Sequence, residues 1–194
     1  MEFKDIRIVR PKDRTSPVLA FADVSLANGV QLCDMRLMKN TADETKYILR
    51  MPMKASKRGH YLAVFNPIDN KVTKQLLEAV VDAYQKTVEQ NKNEFTVSFE
   101  TEPTEPEFSQ IHVYRFARNR QLKALVSCVM DNSIQLNRMA IMLNEDTKGL
   151  QLVMPGRIVT KTGRFTSYYR MDRDHYKQLY EAVMSAYTAT VPEQ

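Results

Sequence analysis

Two segments of this chain show the same helical pattern of apolar residues. In residues 72–88 apolar side chains recur every three or four positions, which places one apolar stripe along a helix. Residues 176–187 repeat this stripe. Asp69 and Asp172 precede the two segments and are 103 positions apart (172 − 69 = 103). A carboxylate there can accept free amide hydrogens of the first helical turn. The pattern therefore predicts two N-capped amphipathic helices.

Alternating apolar and polar residues predict strands ahead of each helix. In the first part of the chain these strands cover residues 4–10, 19–26, 30–38, 47–51 and 61–65. The same order of segments returns in the second part, where residues 111–115 correspond to 6–10 and residues 130–136 to 26–32. We therefore predict an α+β fold built by tandem duplication, in which each unit has an antiparallel sheet of about five strands and a C-terminal helix.

The charge distribution divides the chain into two units and a linker. Residues 1–88, the N-terminal unit, contain 15 Lys and Arg against 10 Asp and Glu, and residues 109–194, the C-terminal unit, contain 12 against 7. Residues 89–108, the acidic linker, contain 1 against 6. Within the linker, residues 95–99 alternate as an added edge strand would, and 102–107 have the composition of an extended, solvated segment. The net charge of +5 is compatible with a polyanionic partner.

Composition also excludes several classes of protein. The chain has no apolar run of the roughly 18 residues that a membrane span needs, and no secretory signal pattern at its start, so we expect a cytoplasmic protein without a membrane partner. Cys33 and Cys128 do not occupy matched positions and are expected to be reduced, partly buried thiols. Three scattered histidines and five glycines form no metal-binding or phosphate-binding motif. We expect no metal, no cofactor, no catalytic residue and no enzymatic activity.

Basic residues cluster in equivalent loops of the two units. In the N-terminal unit the loop after Pro52 carries three cations within five residues, and the corresponding loop of the C-terminal unit carries three more: Lys54, Lys57, Arg58, Arg157, Lys161 and Arg164. A second set lies in the first turn of each unit: Arg14, Arg118 and Arg120. Such cations can neutralise phosphates, so these nine residues are the candidate nucleic-acid contacts. The alternative is that the loops are basic but only solvated.

Aromatic residues near these loops have two possible roles. Five of them follow or flank the basic loops: Tyr61, Phe65, Phe165, Tyr168 and Tyr169. They can stack on bases where they project from the strands. Packing in the core or between the units is the expected role for most of them.

The order of these elements resembles the stage V sporulation protein G family, also called septation protein SpoVG. The resemblance rests in the N-terminal unit on residues 5–8, 33–37, 51–54, 59–61 and 66–68. The C-terminal unit keeps the segments 154–157 and 163–165, whereas Asn137-Arg138-Met139-Ala140 replaces the Asp-x-Arg pattern of residues 34–36. Members of this family are typically small α/β proteins that dimerise and bind nucleic acid as regulators in the bacterial cytoplasm. The resemblance implies that this chain carries both protomers covalently, as a pseudo-twofold pair.

Two functional hypotheses follow. The first is a non-enzymatic regulatory protein, from a bacterium or a phage, that binds DNA, or alternatively RNA, through the paired basic loops. It would act as a monomeric pseudo-dimer or as a higher homo-oligomer. The second is a protein-interaction or structural module that uses exposed strand edges and has no nucleic-acid ligand.

Overall fold

Fifteen strands and two helices make up the described part of the chain. The computed structural model describes residues 1–13, 15–43, 45–55, 59–116, 120–160 and 162–190. The N-terminal unit contains β1 (Phe3–Val9), β2 (Val18–Leu26), β3 (Gln31–Lys39), β4 (Tyr47–Arg50), β5 (Met53–Ala55), β6 (Tyr61–Ala63), β7 (Phe65–Pro67) and α1 (Asn70–Glu89). β8 (Glu94–Ser98) lies in the linker. The remaining elements are β9 (Phe108–Arg115), β10 (Leu122–Met130), β11 (Ile134–Leu143), β12 (Leu150–Val153), β13 (Gly156–Ile158), β14 (Phe165–Ser167), β15 (Tyr169–Arg170) and α2 (Arg173–Ala189). The predicted α+β class is confirmed.

Two antiparallel sheets form the body of the described structure. The first sheet has the order β15-β3-β2-β1-β8, and β4 pairs with another part of β3. The second sheet has the order β12-β11-β10-β9, and β7 pairs with another part of β11. The hairpins β5–β6 and β13–β14 are separate from both sheets. Along the sheet strands, apolar side chains alternate between a buried and a more exposed face, as the sequence pattern predicts.

Each sheet is completed by a short strand from the other unit. β7 pairs with β11 and places Phe65 opposite Leu136, while β15 pairs with β3 and places Tyr169 opposite Leu32. The sequence pattern predicts a self-contained sheet in each unit and a single strand over residues 61–65. In the structure that strand is divided at residue 64, and its second part belongs to the other sheet. Pro52 and Pro155 follow β4 and β12 two positions after the last strand residue, and because proline has no amide hydrogen to donate, neither ladder continues through it.

Two aromatic rings lie at the centre of this exchange. Phe65 and Tyr169 are fully buried, and their ring centroids are 6.4 Å apart at an interplanar angle of 74°. This is the edge-to-face arrangement that aromatic quadrupoles favour. The hydroxyl of Tyr169 donates a hydrogen bond to the carbonyl oxygen of Asn137 at 3.0 Å, so the buried polar group has an acceptor. Residues of both units consequently share one hydrophobic core.

The two helices begin at the predicted N-caps. The Asp69 side chain accepts a hydrogen bond from the amide of Val72, and the Asp172 side chain accepts one from the amide of His175, each at 2.8 Å. The apolar stripes face inward. In α1 they bury Val72, Leu76, Val80 and Ala83, and in α2 Leu179 and Val183. The helices therefore close one side of the core.

The acidic linker is attached to both units. β8 pairs along β1 and forms the edge strand that the alternation predicts. After it the chain is extended, with Glu102 to Glu105 exposed. The amide of Thr104 donates to the carbonyl of Ala27 at 3.2 Å, and the amide of Glu107 donates to the Asp131 carboxylate at 2.8 Å. Glu105 also lies 3.0 Å from the imidazole of His175. The linker is thus solvated on one side and held in place on the other.

The structure describes the two thiols, the two helices and the side chains that could ligate a metal. Cys33 and Cys128 are free and buried, and burial raises the pKa of each thiol to about 12, so both are protonated at neutral pH. Neither α1 nor α2 combines the length and apolar character that crossing a membrane requires. Within the described residues no group of three or more metal-ligating side chains comes together.

Removing the first N-cap tests the helix boundary. Asp69→Ala is expected to lower the free energy of unfolding by about 1 kcal/mol, because the Val72 amide loses its acceptor. Asp69→Asn keeps an acceptor oxygen and should stay within a few tenths of a kcal/mol of wild type. Urea denaturation followed by circular dichroism measures both. Equal midpoints for the Ala and Asn variants would show that the cap does not stabilise α1.

Truncating one of the two buried rings tests how much the strand exchange stabilises the fold. Phe65→Ala is expected to cost about 3–5 kcal/mol of unfolding free energy, because the cavity would lie where the two units meet. The matched control is Tyr61→Ala, whose side chain is 68% exposed and should cost less than about 0.5 kcal/mol. Similar midpoints for the two variants in urea denaturation would contradict a central role for the exchange.

Candidate functional site

The exchange carries each basic hairpin over the outer face of the other unit's sheet. Between the hairpin β13–β14 and the first sheet lies a groove of about 350 Å³, which we call the first groove; Arg7, Asp23, Asp34 and Arg157 are among its lining residues. Between the hairpin β5–β6 and the second sheet lies a groove of about 530 Å³, which we call the second groove; Leu62, His112, Tyr114, Leu125 and Arg138 are among its lining residues. Both grooves are therefore built by residues from both units.

The structure describes four of the nine candidate nucleic-acid contacts. Lys54 lies on β5 and is partly exposed, while Arg157 on β13 and Arg164 just before β14 are exposed. Arg120 is exposed just before β10. The remaining five lie outside the described residues: Arg14, Lys57, Arg58, Arg118 and Lys161. The described hairpin cations thus occupy equivalent hairpins in the two units.

Arg115 and Arg10, which lie close in sequence to candidate contacts, donate hydrogen bonds to backbone carbonyls of the protein. Arg115 donates hydrogen bonds to the carbonyl oxygens of Tyr187 and Thr190 at the end of α2, and its guanidinium lies 4.2 Å from the centroid of the Tyr187 ring. A cation at this position offsets the negative end of the helix dipole. Arg10 donates to the carbonyl of Lys92 at 3.3 Å. Their roles are therefore structural.

The first groove contains a network of ion pairs. Arg7 lies 3.2 Å from Asp23 and 2.9 Å from Glu94, and Arg157 lies 3.2 Å from Asp34. The hydrogen bond that Arg7 donates to the Glu94 carboxylate raises the pKa of Arg7. Burial raises the pKa of the Asp34 carboxyl, and the nearby Arg157 acts in the opposite direction. Arg157, one of the candidate contacts, thus already has a carboxylate partner in the fold.

The second groove has a different charge. Arg138 projects from β11, and its guanidinium donates to the carbonyl of Ala55 on the covering hairpin at 3.4 Å. Burial and, to a smaller extent, Arg138 lower the pKa of Lys54, because each disfavours the protonated amine. Among the described residues, no carboxylate forms an ion pair with either cation. Sequence reasoning did not propose Arg138 as a site residue, although it noted the altered motif in which this residue lies.

The five aromatic residues near the basic loops separate into two groups. Phe65, Tyr168 and Tyr169 are buried, as expected for core packing. Tyr61 on β6 and Phe165 on β14 are 68% and 57% exposed. Each hairpin therefore presents one exposed ring together with a cation, Lys54 or Arg164. Such a surface offers a planar apolar face for stacking and a positive charge for an anion.

Comparison with known proteins gave one informative result. The family model described as SpoVG matches residues 1–86, which include β1–β7 and most of α1. This match does not extend into the C-terminal unit. No match was found among the curated proteins or among the solved structures. The matched range contains the β5–β6 hairpin and the whole N-terminal pattern from which the resemblance was drawn. Over residues 1–86, this chain is therefore similar to the SpoVG family.

Proposed function

We propose that the chain is a tandem duplication of a SpoVG-type unit and that its two units form a pseudo-twofold pair. Equivalent contacts support this arrangement. Phe65 opposite Leu136 corresponds to Tyr169 opposite Leu32, with both aromatic and both leucine positions 104 apart (169 − 65 and 136 − 32). The amide of Asn137 donates to the carbonyl of Val64 at 2.8 Å, and at the equivalent positions the amide of Cys33 donates to the carbonyl of Tyr168 at 2.7 Å.

A backbone feature supports the same proposal. Asp34 and Arg138 are also 104 positions apart, and both have a φ angle of 65°. Positive φ is uncommon for residues other than glycine, and least costly for Asp and Asn. Its recurrence at an arginine is explained most simply if both units inherited one irregular strand. Joining two protomers in one chain replaces an intermolecular interface by one with a high effective concentration.

We propose further that this pair binds nucleic acid, DNA or RNA, as a non-enzymatic regulatory protein of the cytoplasm. The observation that carries this proposal is that both hairpins carry an exposed aromatic ring and a cation, Tyr61 and Lys54 on one and Phe165 and Arg164 on the other. Proteins that bind nucleic acid combine cations for the phosphates with aromatic side chains for the bases. In the sequence the same loops contain three more basic residues, which lie outside the described structure: Lys57, Arg58 and Lys161.

Reversing charge in both loops tests this proposal. The double variant Lys57→Glu and Lys161→Glu is expected to weaken nucleic-acid binding at least tenfold and to flatten its salt dependence. Six phosphate contacts would give a log–log slope of roughly −4 to −5, and losing two of them should reduce its magnitude by roughly 1.5–2. Fluorescence anisotropy with labelled DNA and RNA strands and duplexes at several salt concentrations measures affinity and slope.

The control for this test has the same change in net charge at another place. Lys71→Glu and Arg173→Glu alter exposed residues at the first turns of α1 and α2, where a carboxylate is favourable for the helix. This control should keep the wild-type slope. A loop variant that binds as tightly and as salt-dependently as the control would refute the paired-loop assignment, and a wild-type protein that binds no nucleic acid at low salt would refute the function itself.

One observation favours the second candidate function, a protein-interaction module. β8 covers the outer edge of β1, whereas no described strand pairs with the outer edge of β9. An unpaired edge exposes a row of backbone donors and acceptors that can accept another strand. We propose that, if the chain acts by association, β9 is the edge at which a further strand adds, and the natural candidate is the same strand of a second copy.

Concentration dependence tests this association. If β9 pairs with a second copy, the mass measured by light scattering should rise from one chain toward two as protein concentration increases. Amide hydrogens of β9 should become more protected from exchange over the same range, because they gain interstrand hydrogen bonds. Amides of β1, whose edge β8 already covers, provide the internal comparison. A constant mass of one chain with unchanged β9 protection would exclude this mode of assembly.

A further inference from the structure

The two grooves have equivalent positions but different chemistry. In the first groove Arg7 on β1 lies opposite Asp23 on β2, and these side chains form an ion pair. In the second groove His112 on β9 lies opposite Ser127 on β10 at the same place in the ladder. The arginine–aspartate ion pair of the first groove is therefore replaced by an imidazole and a hydroxyl in the second, which lacks the carboxylate.

The charges at the contact between hairpin and sheet also differ between the two grooves. In the first groove the hairpin cation Arg157 pairs with Asp34. At the second groove the hairpin cation is Lys54, which lies opposite the lining residue Leu62 in the hairpin ladder. The equivalent of Asp34 is Arg138, whose guanidinium donates to the carbonyl of Ala55 on the same hairpin, so a pair of opposite charges is replaced by two cations. Burial and the nearby Arg138 lower the pKa of Lys54, and an anion bound beside Lys54 would favour its protonated form.

The second groove also has apolar lining residues. Leu62 on the hairpin, Tyr114 on β9 and Leu125 on β10 line it and are 52%, 51% and 39% exposed. Within this lining the side-chain amide of Asn137 donates a hydrogen bond to the side-chain oxygen of Asn66 at 3.0 Å. No aspartate or glutamate is among the lining residues in the described structure. The groove thus combines aromatic and aliphatic surface, side-chain amides and positive charge.

We propose that the second groove is a binding site for one or two nucleotides of a single-stranded nucleic acid, with a base against Tyr114, Leu125 and Leu62 and its phosphate beside Lys54 and Arg138. This inference rests on the proposed nucleic-acid function and names its ligand class and principal site. Its volume of about 530 Å³ lies within the range of small-ligand sites. A base in a duplex is already stacked on both faces, so only an unpaired base can enter such a groove.

The first groove does not take part in the same way. Its arginines Arg7 and Arg157 already have carboxylate partners, and Asp23, Asp34 and Glu94 would repel a phosphate. The two units therefore share a scaffold but differ in ligand binding. We expect one high-affinity site for a single strand on each chain.

Substituting the residue that the first groove has at the equivalent position tests the site. Arg138→Asp is expected to weaken binding of a labelled oligothymidylate at least tenfold and to lower the magnitude of the salt slope by about 0.7 per lost phosphate contact. Aspartate already occupies the equivalent backbone conformation at position 34, so this variant should fold. Tyr114→Ala is a second variant without a charge change, and removal of a stacking ring should weaken binding about tenfold with an unchanged slope. The matched control, Arg173→Asp, makes the same substitution on the exposed first turn of α2.

The outcomes separate this inference from the proposed function. The inference predicts tighter binding of the oligothymidylate than of a duplex of equal length, and weaker binding for Arg138→Asp and Tyr114→Ala but not for Arg173→Asp. Wild-type binding that neither groove variant weakens relative to the control would overturn the second groove as the site and leave the proposed function intact. Tighter binding of the duplex would overturn the single-strand assignment. Absence of binding by the wild-type protein to any strand or duplex would overturn both proposals.

Discussion

The exchange of short strands around Phe65 and Tyr169 is the constraint on which the rest of this structure depends. Each ring belongs to one unit, pairs through its backbone with the other unit's sheet and packs against the other ring in a fully buried place. Neither sheet has its complete set of strands without the other unit. The two units thus fold around one core, since separating them would expose both rings and leave backbone groups of β3 and β11 unpaired.

The same exchange creates the candidate binding surfaces. Because β7 and β15 cross to the other sheet, the hairpins that precede them are carried over the other unit's outer face. A groove between hairpin and sheet therefore exists only where the units are joined. A covalent pair can also change one groove without changing the other, which a symmetric homodimer encoded by one sequence cannot do. Asp34 pairs with the hairpin cation Arg157, whereas Arg138, which has the same φ angle of 65° on the other sheet, is itself a cation.

The acidic linker contributes to the fold as well as to connectivity. β8 covers one strand edge, and the segment after it forms backbone hydrogen bonds to both units. Glu105 lies beside His175 in the first turn of α2, where negative charge is favourable. A side chain at Gly29 would come within 2.9 Å of the same imidazole, so the turn before β3 also has to be compact there. Linker, turn and helix start thus form one packed corner.

The sequence by itself determined the local elements of this protein. Periodicity and N-cap chemistry are short-range properties, and they located both helices, their caps at Asp69 and Asp172, most strands and the edge strand in the linker. They did not determine which sheet β7 and β15 join, because a strand has the same alternation whichever partner it pairs with. For the same reason the pattern did not distinguish the buried Phe65 from the exposed Tyr61 four residues earlier. Arg138 was visible in the sequence as a departure from a motif, but only the tertiary structure placed it against the hairpin that carries Lys54, because its neighbours in space are distant in the chain.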